Sequence, residues 1–556
     1  MATEESHGEP REIEWQLDAV DLRPVERWLR SRPAETQPRV EPGSVGEHRD
    51  TYFDSADWRL HLAGWTLRSR EQDGRTEATL KSMGSGEDGR RDRREFTATV
   101  DGDSMDTLRR AHGPVGDRLR ALIGSRPLQP MFEIRTRRRT FPLSVNGSVV
   151  AELALDDTAI PMGDERPATI QRVEVEVTGD DPRDAAGAFV DELRGACALR
   201  PATTSKFEAG LLASGLAPPG PPDLGPTEVT GSASVGELAF AAMRTHFTAF
   251  LEHEPGTRLG DDPEEVHDMR VATRRLRAAM STFRDALPVR VQALRRELKW
   301  IADALGNVRD LDVQIEQVGE WARELPEEER GALAPITAVL ERRRVARRKE
   351  MLRALDSRRC ARLVASTTGL LQRGPLRRSA ASRAPAAIAG PDLVRWRRGK
   401  MKKAGAALNP DSPAEDLHRL RIRGKRLRYT LEFLTPVYPK DAPRLAKRLS
   451  KMQDVLGLHQ DARVAAGFIA GLLEEHAQRL QVQTVFVLGR VAEQYRHVER
   501  KQRSRLPKVY GRLTGKAWKD LRSTMDKTRS EAEAAQPRRR APRAPAPPAD
   551  LRALPA

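Results

Sequence analysis

The segment VHDMRVATRRLR, Val266–Arg277, returns as LHRLRIRGKRLR, Leu417–Arg428, 151 residues further along. His267 aligns with His418, Arg270 with Arg421, Arg275 with Arg426, Leu276 with Leu427 and Arg277 with Arg428. The same spacing carries LKWIADALGNVRDLDV, from Leu298, onto LSKMQDVLGLHQDARV, from Leu449. One spacing shared by two motifs marks a duplicated unit, so this half of the chain is built twice. On a helix, at about 100° per residue, His267, Arg270, Arg274 and Arg277 fall in a stripe roughly 80° wide. Met269, Ala272, Leu276, Ala279, Met280 and Phe283 form an apolar stripe on the other side, the pattern of a core-facing helix. His418, Arg421, Lys425 and Arg428 repeat the basic stripe, and Leu420, Leu427, Leu431 and Leu434 the apolar one. Solvated helices usually mix acids with bases, yet the first segment has one acid against four arginines and the second has none. Like charges stacked in this way repel, so the face asks for an anion.

The rest of the composition narrows the partner. A net charge of +16 points to a polyanion: nucleic acid, an acidic membrane surface or a phosphate polymer. The 556 residues allow two to four domains, each with its own core. Two distant cysteines, Cys197 and Cys360, exclude a disulfide framework and suit a reducing cytosol. No run of eighteen apolar residues occurs and the N-terminus is acidic and polar, so the expectation is a cytoplasmic chain without a membrane span.

Residues 11–210 alternate in the manner of strands. EIEWQLDA, TYFDS, WTLRSREQ, TEATLKSM, RREFTATV, FEIRTRRRTFPL, SVVAELALDD and QRVEVEVTG make about eight, with helical inserts near 24–32, 105–123 and 182–197. Without a βα rhythm this is an antiparallel sheet or closed barrel, followed by an all-α region: an α+β multidomain chain. The expected boundaries are 1–215 for the barrel and 216–234 for a Pro/Gly-rich linker. The helical region spans 235–508, in repeats at 235–373 and 392–508, and a basic Pro/Ala-rich tail without a core runs over 509–556.

Residues two apart share a strand face, so Glu12 with Glu14, Arg68 with Arg70, Arg137 with Arg139, and Glu174 with Glu176 are expected to point together. Ile13, Trp15, Ser69, Val175 and Val177 then point the other way. A barrel with charges inside and apolar groups outside is costly unless a charged ligand fills it. Carboxylates offer oxygen ligands to Mg²⁺ or Mn²⁺, and arginines and lysines grip phosphoryl oxygens.

These motifs give the first part of the chain its resemblance to the CYTH superfamily, a triphosphate-tunnel fold that includes inorganic triphosphatases. Glu12 and Glu14 match its opening ExExK strand, with Gln16 in the lysine position. Further matches are YFDS at Tyr52–Ser55, LRSR, TLK, RRE at Arg93–Glu95, the arginine strand, Glu152 with Asp156, VEVEV and SKFE. The resemblance implies metal ligands at Glu12, Glu14, Glu95, Glu152, Glu174 and Glu176, with Glu12, Glu14, Glu174 and Glu176 catalytic. It implies triphosphate contacts from Arg68, Arg70, Lys81, Arg94, Arg137, Arg139 and Lys206. Thr97 stands where the RRE strand would carry a second acid, and with Gln16 it favours binding over fast turnover.

VHDMRVATRRLR, ALGNVRDLDV, LHRLRIRGKRLRY and DVLGLHQDA, in that order, resemble the CHAD domain. The resemblance implies two four-helix bundles related by pseudo-twofold symmetry and inorganic polyphosphate bound by His267, Arg270, Arg274, Arg277, His418, Arg421, Lys425 and Arg428. Association with polyphosphate granules would follow. Asp310 and Asp461 are expected to brace the basic helices, and Trp300 and Trp396 to pack. Three functions stay open: a Mg²⁺- or Mn²⁺-dependent triphosphatase that also holds polyphosphate, a non-catalytic polyphosphate binder, and a nucleic-acid binder. The last lacks aromatic interleaving or any recognition motif.

Overall fold

The computed structural model describes residues 11–535, apart from positions 34, 85, 103, 163, 164, 179–182, 410, 477, 479 and 514. Two compact units emerge: Met1–Asp223 with Glu254–Asp262, and Leu224–His253 with Pro263–Ala556. The expected linker, 216–234, straddles the boundary between them and holds no helix.

The first unit contains strands β1 (Arg11–Ala19), β2 (Arg39–Val40), β3 (Ser44–Ser55), β4 (Trp65–Gln72), β5 (Arg75–Ser82), β6 (Arg90–Val100), β7 (Leu128–Val145), β8 (Ser148–Met162), β9 (Glu165–Val177) and β10 (Arg200–Pro201). Eight of them run β1-β6-β5-β4-β3-β7-β8-β9, all antiparallel, and β9 pairs back onto β1. The sheet is therefore a closed eight-stranded barrel; β2 and β10 are two-residue additions to β7 and β1. Asp73-Gly74 and Asn146-Gly147 make two of its tight hairpins, with positive φ at both residues as type I′ turns require.

The barrel is inverted relative to an ordinary core. Leu17, Leu153, Leu155, Val173 and Val175 face outward and are covered by Val25, Phe189, Val190 and Leu193 of the helices Arg23–Ser31 and Arg183–Ala196. Leu67, Leu80 and Phe96 are covered by Leu108, Val115 and Leu119 of Met105–Arg110 and Gly113–Ile123. Each such side chain contributes about 1.5–3 kcal/mol when fully buried. Most apolar stability is thus built on the outside of the sheet, with one smaller inner cluster of Tyr52, Phe132, Ile134 and Ile160 against Phe207 and Leu211, which leaves the rest of the inside for charge.

Among the described residues of the second unit each copy has five long helices, where the resemblance implied two four-helix bundles. They are Val235–Glu252, Pro263–Thr282, Val291–Glu324, Ala334–Asp356 and Arg358–Arg373, then Ala386–Ala406, Ala414–Phe433, Asp441–His476, Val482–Gly511 and Lys516–Ala534. The second copy begins at Ala386, inside the stretch expected to break the helices, and Pro391 lies buried within the helix. The fifth helix of that copy occupies what was expected to be a coreless tail. Its Ala517, Trp518, Leu521 and Met525 recur at one-turn spacing and are buried, whereas the proline-rich composition starts only after Ala535. Residues beyond Ala535 lie outside the described region. Both copies feed the same cores: Met269 and Leu276 join Leu420 and Leu427 in one, and Trp321 and Ile336 join Ile469 and Val487 in another. Neither copy has a core to itself. Cys197 and Cys360 are buried and not joined in a disulfide. Among the described residues no helix is long and apolar enough to cross a membrane.

Candidate functional site

A cavity of about 310 Å³ occupies the barrel. β1 supplies Glu12, Glu14 and Gln16 to it, β4 Arg68 and Arg70, β5 Glu77, Thr79 and Lys81, and β6 Arg91, Arg93, Glu95 and Thr97. Arg138 on β7, Glu152 on β8, Glu174 and Glu176 on β9, and Lys206 complete the charged lining. A capping box between Ser205 and Glu208 starts the helix Lys206–Ala213 and so fixes where Lys206 leaves the backbone.

The cations lie in a lattice of ion pairs. Lys81 Nζ sits 2.7 Å from Glu12 and 2.6 Å from Glu95. Arg93 bridges Glu12 and Glu14, and Arg70 grips Asp50 through both oxygens at 2.7 and 2.9 Å. Arg138 forks onto Asp156 at 2.8 and 2.6 Å and reaches Glu174 at 2.5 Å; Lys206 pairs with the same two acids. Burial raises the Glu174 carboxyl, but Lys206 and Arg138 outweigh it and hold the group well below the usual range.

The carboxylates of β1, β9 and β8 are less well matched. Glu14 is the cross-strand partner of Glu176, and Glu176 of Glu152, so three acids form a row across adjacent strands. Burial, with Glu14 adding to it, pushes Glu176 up to about 7. Burial and then Glu14 likewise raise Glu12 to about 8 against Lys81, while Lys81 and Arg68 overcome burial and hold Glu95 to about 2. With Glu176 and Glu12 keeping protons near neutrality, this side of the cavity is short of positive charge. Its all-oxygen donor set fits a hard divalent cation such as Mg²⁺ or Mn²⁺, although among the described residues no three already converge as a ready-made metal set.

Three expected phosphate ligands face the wrong way. Arg94 lies outside the barrel, over the Trp65 ring at 5.0 Å; Arg137 is exposed between Glu47 and Asp157 on the outer surface; Arg139 pairs with Glu26 of a covering helix. Their inward places are taken by Arg91, Arg93 and Arg138. Strand alternation contains the signal: Glu95 inside requires Arg93 inside and Arg94 outside, and buried Phe132 and Ile134 set an even-numbered inner face for β7 that Arg138 shares. A run of three arginines hides that parity.

In the second unit the two basic stripes come together. Lys425 is pulled down to about 8 by burial and by Arg421, Arg274, Arg428 and Arg270, cations drawn from both copies. Arg274 Nε donates to Tyr429 Oη at 3.1 Å, Arg275 lies 3.8 Å from Glu432, and Arg270 lies 3.8 Å from Asp310. Burial raises the Asp461 carboxyl against Arg421 and Lys425. His267 and Arg277 are half-buried and His418 is exposed. The expectation for Trp396 fails: it is 52% exposed. Trp300 is partly buried against the core, under Arg359 at 4.2 Å.

The model of the CYTH domain matches residues 28–210 and that of the CHAD domain residues 241–470. The chain carries a CYTH domain followed by a CHAD domain. The CYTH match begins after β1, so Glu12, Glu14 and Gln16 precede it, and the CHAD match ends before the last two helices of the second copy. The chain is 27% identical over 454 residues to the uncharacterized protein Rv2226 of Mycobacterium tuberculosis, covering 77% of this chain and 82% of that one. Among solved structures, the CHAD domain of the plant Ricinus communis is 24% identical, with a TM-score of 0.39 over 55% of this chain and 94% of its own. PptA of Streptomyces chartreusis is 22% identical, with a TM-score of 0.41 over 50% and 100%. A candidate adenylyl cyclase from Hippeastrum, described as having a dominant triphosphatase activity, is 18% identical, with a TM-score of 0.29 over 37% and 97%.

Proposed function

We propose that the CYTH domain hydrolyses inorganic triphosphate, or a similar triphosphate, with a divalent cation, and that the CHAD domain holds polyphosphate. The observation that carries this reading is one cavity inside the closed barrel that is lined both by an acid row, Glu14–Glu176–Glu152, and by several arginines and lysines. Glu12, Glu14 and Glu176, with Glu152 beside them, would hold Mg²⁺ or Mn²⁺. When bound, such an ion supplies charge for phosphoryl oxygens and orientation for an attacking water.

The remaining work falls to the side chains. Arg68, Lys81 and Arg93 exchange internal carboxylates for phosphoryl oxygens as the chain enters, Arg91 adds a further cation to the wall, and the low-dielectric surroundings strengthen each contact. Arg138 and Lys206 hold Glu174 ionised and pair with Asp156 beside it, fixing both side chains in place. Glu176 and Glu12 can surrender protons to a cation and so titrate in the range where the reaction would run.

A second reading, binding without turnover, is favoured by Gln16. Its Nε2 donates to Glu14 at 2.8 Å while its Oε1 is buried without a partner, so the position neutralises nothing. Phosphate release from tripolyphosphate, with and without Mn²⁺, tests both. The native protein is expected to show metal-dependent release that Glu12→Ala abolishes; absence of metal-dependent release in the native protein would sink the enzyme reading. Gln16→Lys, placed opposite Glu174, is expected to raise turnover by about tenfold, as for one added charge-assisted contact.

Polyphosphate binding carries its own pH signature. Lys425 loses its proton at about 8 in the free protein, and a polyanion would favour the charged form, so binding takes up a proton. Affinity should therefore fall as pH rises from 7 to 9.5. In Lys425→Arg, which stays charged throughout, that fall should vanish; calorimetry with long-chain polyphosphate reads both. A protein so built would associate with polyphosphate granules.

A further inference from the structure

The two copies of the CHAD duplication are not chemically equivalent. On the helix Ala414–Phe433, Arg423 and Arg426 lie on the flank of the core stripe away from Arg421, Lys425 and Arg428. Arg397 comes to the same corner from the helix Ala386–Ala406, and Arg284 from the turn Arg284–Ala286. Arg397 is only 8% exposed, and its Nε has no hydrogen-bond partner. The charges that act on it are Arg426, Arg423 and Arg284, with no carboxylate among them; burial and these cations bring it down to about 10. Arg426, too, feels only Arg423 and Arg295.

Positions 151 residues earlier hold His246, Ala272 and Arg275 in place of Arg397, Arg423 and Arg426. In that copy the one cation has Glu432 at 3.8 Å. His246 is kept neutral, at about 4, by burial and by Arg275, and its ring lies 6.0 Å from Phe433. The same backbone corner therefore holds a neutral histidine and one ion-paired arginine in one copy, and in the other the buried Arg397 among Arg423, Arg426 and Arg284, of which Arg284 also has Asp285 at 3.2 Å. A buried cation faced by other cations is costly, and duplication did not require Arg397 here.

Trp396 adjoins this corner. Its ring has Arg397 at 4.8 Å and Lys400 at 6.0 Å, and the indole is half exposed. The matching residue of the first copy is Thr245. An accessible indole flanked by cations is a platform on which a nucleobase stacks, and guanidinium forks beside it suit phosphoryl oxygens.

We propose that Arg397, Arg423, Arg426 and Arg284, with Trp396, form a second anion site in the CHAD domain, distinct from the paired basic stripes, that takes a nucleoside polyphosphate with its base on Trp396. It does not depend on triphosphate hydrolysis in the barrel or on polyphosphate at the stripes.

The test uses the full chain in EDTA with 8-azido-ATP as photoprobe and ATP titrated by calorimetry. The label is expected on the peptide bearing Trp396, and inorganic tripolyphosphate should compete about tenfold less well than ATP, the difference one stacked base provides. Arg423→Ala/Arg426→Ala and Trp396→Ala should each weaken ATP binding at this site by about tenfold or more. Arg423 and Arg426 are not buried, and the double variant should keep the native helical circular dichroism. Label confined to barrel peptides would overturn the site. Equal competition by tripolyphosphate, with Trp396→Ala unaffected, would overturn the nucleoside and leave a phosphate-chain contact. Loss of long-chain polyphosphate binding in an Arg270→Ala/Arg421→Ala variant that keeps its ATP site would show that the two sites are separate.

Discussion

Arg138→Met is expected to destabilise the CYTH domain by about 3–5 kcal/mol, the usual cost of removing one partner from a buried ionic group. Asp156 is fully buried, and Glu174 nearly so, and both depend on Arg138 and Lys206. With Arg138 gone, Lys206 alone faces two carboxylates, and one must take a proton or remain as uncompensated charge. Turnover should fall with it, because the acids that face the cavity lose their fixed positions. Arg137→Met, one residue away, removes an exposed side chain and should change stability by less than about 0.5 kcal/mol. Urea denaturation of the two variants beside the native protein decides the matter. Equal effects would mean that the β7 register described here is wrong, since a slip by one residue exchanges the two faces.

The second large effect is expected at the paired basic stripes. Arg270→Ala/Arg421→Ala should weaken long-chain polyphosphate binding on the order of 10²-fold, taking about 1.5–3 kcal/mol for each charge-assisted contact to the anion. The slope of log affinity against log salt should flatten by about 0.7 for each contact removed, as for other flexible polyanions. Stability without ligand should stay level or rise, because the cations around Lys425 repel one another in the free protein. A merely structural pair would behave oppositely, losing stability and leaving the salt slope unchanged. Filter binding across a salt series, with thermal unfolding of the same samples, separates the two.

Much of this site was legible before any coordinates. Glu12, Glu14, Arg68, Arg70, Glu174 and Glu176 line the cavity as their strand positions suggested, and Lys81, Glu95, Glu152 and Lys206 line it as the resemblance implied. Arg94, Arg137 and Arg139 do not, because charge type says nothing about face, and RTRRRT offers an arginine to either parity. Apolar neighbours carry that information: Phe132 and Ile134 are buried where Glu133 and Arg135 are not. Glu77 and Arg91 were missed for a related reason, as each lies in a strand whose charges had been read from one motif alone. Trp396 shows the converse limit. A tryptophan suggests packing, yet its exposure depends on which neighbours the fold supplies.

By itself the sequence determined that one half of the chain is a duplicated helical unit with a basic and an apolar side, and that the other is a strand-rich unit with charges on one face. Periodicity is local and survives in one dimension. Only the tertiary structure decided that β9 closes on β1, setting Glu14 beside Glu176, and that the two basic stripes meet around Lys425. It also decided that Lys516–Ala534 completes the second copy. These are contacts between residues tens to hundreds of positions apart, and they depend on shared cores to which neither copy contributes alone.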